Sequence, residues 1–251
     1  MTVFALKIIA AVTMLVDHFG AAVFSHLVET TSQMAAYEML RNVGRIAFPI
    51  YAYLVAQGCL HTKSISRYML RLMLLAIISE VIFDIAFYTQ VGGISFLHNT
   101  NIFFTLLLGV AAIALYEQAK RRLPDAAWSI FVAPIAAIPP MLAAWLLSSD
   151  YGHIGVLLIF VIYIAKPQNR NMRTVTMALA LCLIYFPLLL TTHGYTLNIH
   201  YMFSLVAVLC VFAYNGKPGK NNAAIKWGFY FFYPAHLVVL IAVRVVICRA
   251  T

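Results

Sequence analysis

Charge is what this chain has least of. Asp, Glu, Lys and Arg make up 10% of its 251 residues, and only eight of them are acidic. A soluble domain carries about 25%, so much of this protein's surface does not face water. Cysteine is sparse as well. Cys59, Cys182, Cys210 and Cys248 are widely spaced, lie in or beside apolar runs and form no C-x-x-C pair. That argues for packing roles over a disulfide framework or a thiolate metal site. Neither H-E-x-x-H nor G-x-S-x-G occurs, which removes the helical zinc-protease site and the nucleophile elbow. His18, Asp84, His98 and His236 are acceptable zinc ligands one by one, but their spacing matches no ligand set, and no metal is expected. Ser79 and Ser95 are poor nucleophile candidates. Linkers and low-complexity stretches are missing too, so residues 1–251 read as one domain. No internal repeat is evident, which counts against an inverted-repeat transporter.

What is present is apolar. The chain is 63% hydrophobic, with a mean hydropathy of +0.90. A window of about 19 residues picks out apolar segments near 3–27, 42–60, 68–88, 100–118, 127–147, 152–165, 173–191, 197–214 and 225–247. The expectation is an all-α polytopic membrane protein with about nine transmembrane segments (eight to ten). Segment 152–165 is short, and is expected to be tilted, re-entrant or buried by its neighbours. The first segment has only Lys7 near its start, no cleavage box and a polar pair of its own, so it reads as a span and not as a cleaved leader.

Basic residues sort into alternate connections. Lys63, Arg67 and Arg71 follow the second segment, Lys120, Arg121 and Arg122 the fourth, Lys166, Arg170 and Arg173 the sixth, and Lys217, Lys220 and Lys226 the eighth. The other connections hold Glu29, Glu38 and Asp150, with Arg41 as their cation. The positive-inside rule then puts the N-terminus in the cytoplasm and the C-terminus outside. Arg244 and Arg249 point the other way and are outnumbered. The net charge of +9 is explained by this topology and by attraction to anionic inner-leaflet lipid. It gives no ground for a nucleic-acid partner.

The most unusual residues are Asp17 and His18, adjacent in the middle of the first apolar run. An ionisable residue at bilayer depth costs roughly 2.5–3.5 kcal/mol on insertion scales, so a working site is the default expectation. Asp17 lies ten residues past Lys7, about 15 Å along a helix, at or just beyond the midplane. The topology brings other polar residues into the same outer half of the membrane: Arg45, Glu80, Asp84, His98, Asn101, Tyr151, His153 and His236. Each has a structural reading. Asp17 with Arg45 can be an ion pair that sets helix registry, and Glu80 and Asp84, one turn apart, can balance that arginine. Together, three acids, an arginine and two histidines exceed what registry requires. Asp17 and His18 project about 100° apart on a helix, so Asp17 is expected to meet Arg45 and leave His18 facing the site. A histidine general base without a covalent intermediate is the simplest chemistry these residues support.

These motifs resemble a family. Leu6-KIIAAVTMLVD-His18, Gly44-RIAF-Pro49, Asn101-IFF-Thr105, Asp150-YGHI-Gly155 and Phe232-YPAH-Leu237 are similar, in that order, to the TraX family, whose namesake is the F-pilin acetyltransferase of conjugative plasmids. The resemblance covers nearly the whole chain and carries over to Asp17, His18, Gly44, Arg45, Phe48, Pro49, Asn101, Tyr151, Gly152, Gly155 and His236. It does not extend to Glu80 or Asp84. It implies a multi-pass protein of the bacterial cytoplasmic (inner) membrane. It also implies transfer of acetyl from cytoplasmic acetyl-CoA to an acceptor outside: a protein N-terminus, a glycan, or a small amine or alcohol. On that reading Lys63, Arg67 and Arg71 are the first candidates for the CoA phosphates, with Lys120, Arg121 and Arg122 as alternatives. His18 is the base, with His236 as its competitor, and Arg45 or Asn101 stabilises the oxyanion. His98, Tyr151 and His153 lie on the acceptor side. A proton-coupled transporter and a non-catalytic membrane scaffold are the rival readings.

Overall fold

A computed structural model of the protein describes residues 1–88, 99–122, 129–166, 169–191 and 199–250. Every regular element among them is helical: α1 (Val3–Ala22), a 3-10 turn (Phe24–Leu27), α2 (Thr31–Gly44), α3 (Ala47–His61), α4 (Ile65–Phe87), α5 (Ile102–Arg122), α6 (Ser129–Leu146), α7 (Gly152–Ala165), α8 (Arg170–Thr191), α9 (Ile199–Ser204), α10 (Val206–Phe212) and α11 (Ala223–Ala250). Among the described residues, four stretches are long and apolar enough to cross a membrane: Val3–Ala22, Thr31–His61, Ile102–Arg122 and Ala223–Ile247. Shorter apolar helices run over Phe131–Leu146, Gly152–Ala165 and Met202–Phe212. The charges Arg67, Arg71, Glu80 and Asp84 keep α4 out of the first group despite its length.

Two departures from the apolar segments have physical causes. The second segment, expected at 42–60, belongs to a helical stretch that begins at Thr31. Its first part, α2, is amphipathic, so a hydropathy window passes over it. Thr30 and Gln33 form a reciprocal capping box at its start, which satisfies two of the helix's orphan N–H groups. The eighth segment, expected at 197–214, is interrupted between Ser204 and Val206, giving α9 and α10.

The chain divides into two compact units. The first comprises Met1–Tyr51, Val81–Ile94 and Pro167–Thr251. Here α1 and α11 run side by side in the same direction. Phe4 packs edge-on against Phe229 at one end (6.0 Å, 73°), and Ala22, Val23 and Leu240 are buried at the other beneath Leu15, Phe19, Phe87, Val243 and Ile247. Helix α2 returns along α1, with Leu40 against Gly20 and Gly44 against Asp17. The start of α1 is tied to residues 215–218: Val3 N donates to Lys217 O (3.0 Å), Phe4 N to Pro218 O (3.1 Å), and Asn215 N to Met1 O (2.8 Å). Arg173 on α8 joins that end, lying over the Tyr214 ring (4.8 Å) and donating to its carbonyl (3.2 Å).

The second unit comprises Ala52–Glu80 and Ser95–Lys166. Helices α5, α6 and α7 pack mutually, with Tyr116 edge-on to Phe160 (5.7 Å, 86°). Helix α7 has 14 residues, about 21 Å of rise, against a hydrocarbon core of about 30 Å. Val156, Leu158, Ile159, Phe160 and Ile162 are buried, while Ile154, Leu157, Val161 and Ile164 form one half-buried face, so its neighbours cover all but one side of it. On α6, Phe131, Ile135, Ile138, Leu142 and Trp145 are each more than half exposed. Their alternating spacing of four and three makes one apolar stripe, the signature of a lipid-facing helix side.

Candidate functional site: a buried histidine pair

Asp17 and His18 sit on α1 and project to different sides, as the helix pitch requires. His18 faces α11. Its Nδ1 lies 2.7 Å from Nε2 of His236, with ring planes 12° apart. Both side chains are buried, 7% and 6% exposed. Aromatic rings form the walls: Phe87 (5.3 Å) and Tyr233 (5.9 Å) stand edge-on to His18, and Phe232 stacks on His236 (4.9 Å, 15°).

Hydrogen bonding decides which nitrogen can act as a base. Nδ1 of His236 lies 2.8 Å from the Phe232 carbonyl. A carbonyl only accepts, so this Nδ1 carries the proton. In the neutral pair Nε2 of His236 is then an acceptor, and Nδ1 of His18 must donate to it. The remaining nitrogen, Nε2 of His18, is left with its lone pair. The backbone carbonyl of residue 232 therefore sets the tautomer of a ring on another helix.

Asp17 faces α2. Arg41 Nη1 donates to its Oδ2 at 2.7 Å and reaches its backbone carbonyl at 3.4 Å. Sequence reasoning assigned Arg41 to a connection and expected Arg45 to close on this carboxylate. The helical course of α2 instead puts Arg41 beside Asp17, and Arg45 forms the C-cap of that helix, its carbonyl accepting from Ser204 Oγ (3.2 Å). The signal that could have found Arg41 was the Thr30-to-Gln33 capping box, which predicts a helix through it.

Asp84, on α4, is buried. Just beyond it, Arg244 on α11 donates to the carbonyls of Ala86 (2.7 Å) and Ile85 (2.9 Å). These are carbonyls that a helix end leaves without an intrahelical partner. This arginine, at odds with the positive-inside count, thus caps α4.

Glu80 and Asn101 meet in the second unit. The Asn101 amide nitrogen donates to Glu80 Oε2 (2.6 Å) and to the Ala76 carbonyl (2.8 Å). Its Oδ1 accepts from Phe103 N (2.9 Å), and its own N–H goes to Glu80 (3.0 Å). Both amide hydrogens are committed, so Asn101 joins α4 to the start of α5 and has no donor left for an oxyanion. Tyr151, in a left-handed conformation (φ 62°), starts α7, and His153 is exposed on its first turn. Lys63, Arg67 and Arg71 are exposed at the foot of α4, Arg71 lying over the Tyr68 ring (5.8 Å). His98 and Ser95 lie outside the described residues.

The chain is similar to the probable fimbrial assembly protein FimC, serogroup H1, of Dichelobacter nodosus: 27% identical over 250 residues, covering 96% of this chain and 95% of the relative. No solved structure matches it. Residues 3–244 match the family described as TraX protein. That span takes in both helices of the histidine pair, so this membrane protein, with its buried His18–His236 contact, belongs to the TraX family.

Proposed function

We propose that this chain is an acetyltransferase of the bacterial inner membrane, which moves an acetyl group from cytoplasmic acetyl-CoA to an amine or hydroxyl on the far side. The observation that carries the reading is the tautomer-fixed histidine pair, in which Nδ1 of His18 lies 2.7 Å from Nε2 of His236 and Nε2 of His18 is left unprotonated. Family membership supports it, because the namesake of the TraX family acetylates a pilin. The relative's name, a fimbrial assembly protein, points to a pilus subunit as acceptor.

The thioester supplies an activated acetyl carbonyl, and the residues supply proton handling. Nε2 of His18 takes the proton of the acceptor N–H or O–H as that atom bonds to the carbonyl carbon. The same ring returns the proton to the sulfur as the C–S bond breaks, so His18 ends as it began. His236 holds the Nδ1–H of His18 throughout and accepts part of the charge that develops while the ring is protonated. The aromatic walls exclude water, which would otherwise compete with the acceptor. Asp17 and Arg41 brace the turn of α1 that presents His18.

The test is acceptor-dependent release of free CoA thiol by purified protein given acetyl-CoA and an amine peptide. His18→Ala should abolish release while acetyl-CoA binding survives. Substrate flux across vesicles without thiol release would replace the reading with a transporter, in which the histidine pair relays protons.

A further inference from the structure

Three lysines converge at the opposite end of α1 and α11 from the histidines. Lys7, Lys220 and Lys226 line a pocket of about 60 Å³ with Phe4, Pro218 and Phe229. One water takes about 10–15 Å³ on this measure, so the pocket has room for roughly four to six waters. That is room for phosphoryl groups. We propose that this pocket holds the phosphates of the acyl-CoA donor, an inference that rests on the acetyltransferase reading.

The site is built, not merely basic. The reciprocal backbone bonds between residues 1–4 and 215–218 fix its floor. Gly219 has φ +72°, and a Cβ there would lie 2.5 Å from Thr2 Oγ1, so the chain can turn over α1 only with glycine at that position. Lys7 is half-buried within an apolar helix, and its ammonium sits over the Phe229 ring at 5.3 Å. The residues lining the pocket include no Asp or Glu, and the ion pairs Arg41–Asp17 and Lys166–Glu117 lie elsewhere. Three ammonium groups held together without a carboxylate repel one another, and a polyanion removes that repulsion. Lys220 and Lys226 are exposed at the pocket's rim, as Lys63, Arg67 and Arg71 are at the foot of α4; what distinguishes the first set is the half-buried Lys7 and the pocket it shares with them.

Spacing connects the pocket to the chemistry. Lys7 precedes His18 by eleven residues and Lys226 precedes His236 by ten, which is about 17 Å along α1 and about 15 Å along α11. The pantetheine arm has roughly twelve bonds between its phosphate oxygen and its sulfur. At the reach of an extended chain, that is about 14 Å. A donor with its phosphates on the lysines therefore brings its thioester to the histidine pair.

The experiment measures affinity for CoA itself by titration calorimetry on purified, monodisperse protein, independent of any turnover. Lys220→Gln with Lys226→Gln should weaken CoA binding roughly tenfold or more, as loss of charge-assisted contacts does. Lys226→Arg should retain it, and 3′-dephospho-CoA should bind wild type more weakly than CoA. Nanodiscs with and without anionic lipid separate the two sources of phosphate. If anionic lipid displaces CoA from wild type and the lysine variants lose lipid binding without losing CoA, the pocket belongs to lipid and the proposal is overturned. It is equally overturned by unchanged CoA affinity in the lysine variant, by loss of affinity in Arg67→Ala with Arg71→Ala instead, or by wild-type protein that binds no CoA. Wild-type protein that binds CoA through these lysines but transfers no acetyl group leaves the pocket standing and removes the catalytic reading.

Discussion

Gly44 on α2 faces Asp17 on α1 so closely that a methyl group on Gly44 would fall inside the Asp17 side chain. The backbone of α2 there lies directly against the Asp17 side chain, and Arg41 on the same helix reaches within 2.7 Å of the carboxylate. Gly44→Ala therefore pushes α1 and α2 apart. Overpacking of this kind costs about 1–3 kcal/mol, so the unfolding midpoint in detergent should fall. Gly228→Ala, where a Cβ meets nothing within 4 Å, should hold or raise the midpoint. Equal behaviour of the two variants would contradict the close approach.

The ion pair itself lends itself to a double-mutant cycle. Asp17 and Arg41 are 16% and 24% exposed at their side chains, between the exposed pairs that contribute about 0–1 kcal/mol and the buried ones whose breakage costs about 3–5 kcal/mol. Asp17→Asn and Arg41→Gln should each destabilise, and their coupling in thermal unfolding should be about 1–2 kcal/mol. Strict additivity would mean that the pair contributes nothing of its own.

The histidine pair makes an asymmetric forecast. Removing a general base lowers rate by about 10²–10⁴, so His18→Ala should do this per mole of folded, CoA-binding protein. His236 acts through His18. His236→Leu takes away the acceptor that fixes the tautomer and should lower turnover, whereas His236→Gln keeps an acceptor oxygen and should restore part of it. Acetyl transfer that survives His18→Ala and vanishes equally in both His236 variants would move the base to α11.

Asn101 separates a structural from a catalytic assignment. Its amide nitrogen donates to Oε2 of Glu80, which is fully buried, and leaving a buried acceptor without its donor costs about 1–3 kcal/mol, more when charged. Asn101→Leu should therefore reduce the yield and unfolding midpoint of the protein. The specific activity of the molecules that do fold should change little. A folded, stable variant with a hundredfold lower rate would put Asn101 at the reacting atoms.

Orientation follows from the basic connections and is open to direct measurement. In a background without the four native cysteines, single cysteines at positions 120 and 150 should react with a membrane-impermeant thiol reagent from opposite sides, position 150 from outside. Labelling of position 120 from outside and of position 150 from inside would reverse the direction proposed for acyl flow, and labelling of both from one side would overturn the topology.

Hydropathy alone determined that this is a helical membrane protein, because apolar runs of 14 to 25 residues can bury their backbone polar groups in lipid only as helices. The polar residues stranded in those runs, Asp17, His18 and His236 above all, were also legible, since a charge or imidazole among leucines and valines is conspicuous in one dimension. Their partners were not. Arg41 reaches Asp17 only because an amphipathic helix, α2, returns along α1, and amphipathicity leaves little mark on a hydropathy window. Asn101 looked like a donor for the reaction until its two hydrogens were found on Glu80 and Ala76. Which nitrogen of His18 is free depends on a carbonyl 214 positions away in the chain. Lys7, Lys220 and Lys226 carried only a topology signal until the chain brought them to one pocket. Local sequence sets which residues resist the membrane. Only packing between helices decides which of them meet, because contact depends on crossing angle and register, and those emerge from the whole set of side chains at once.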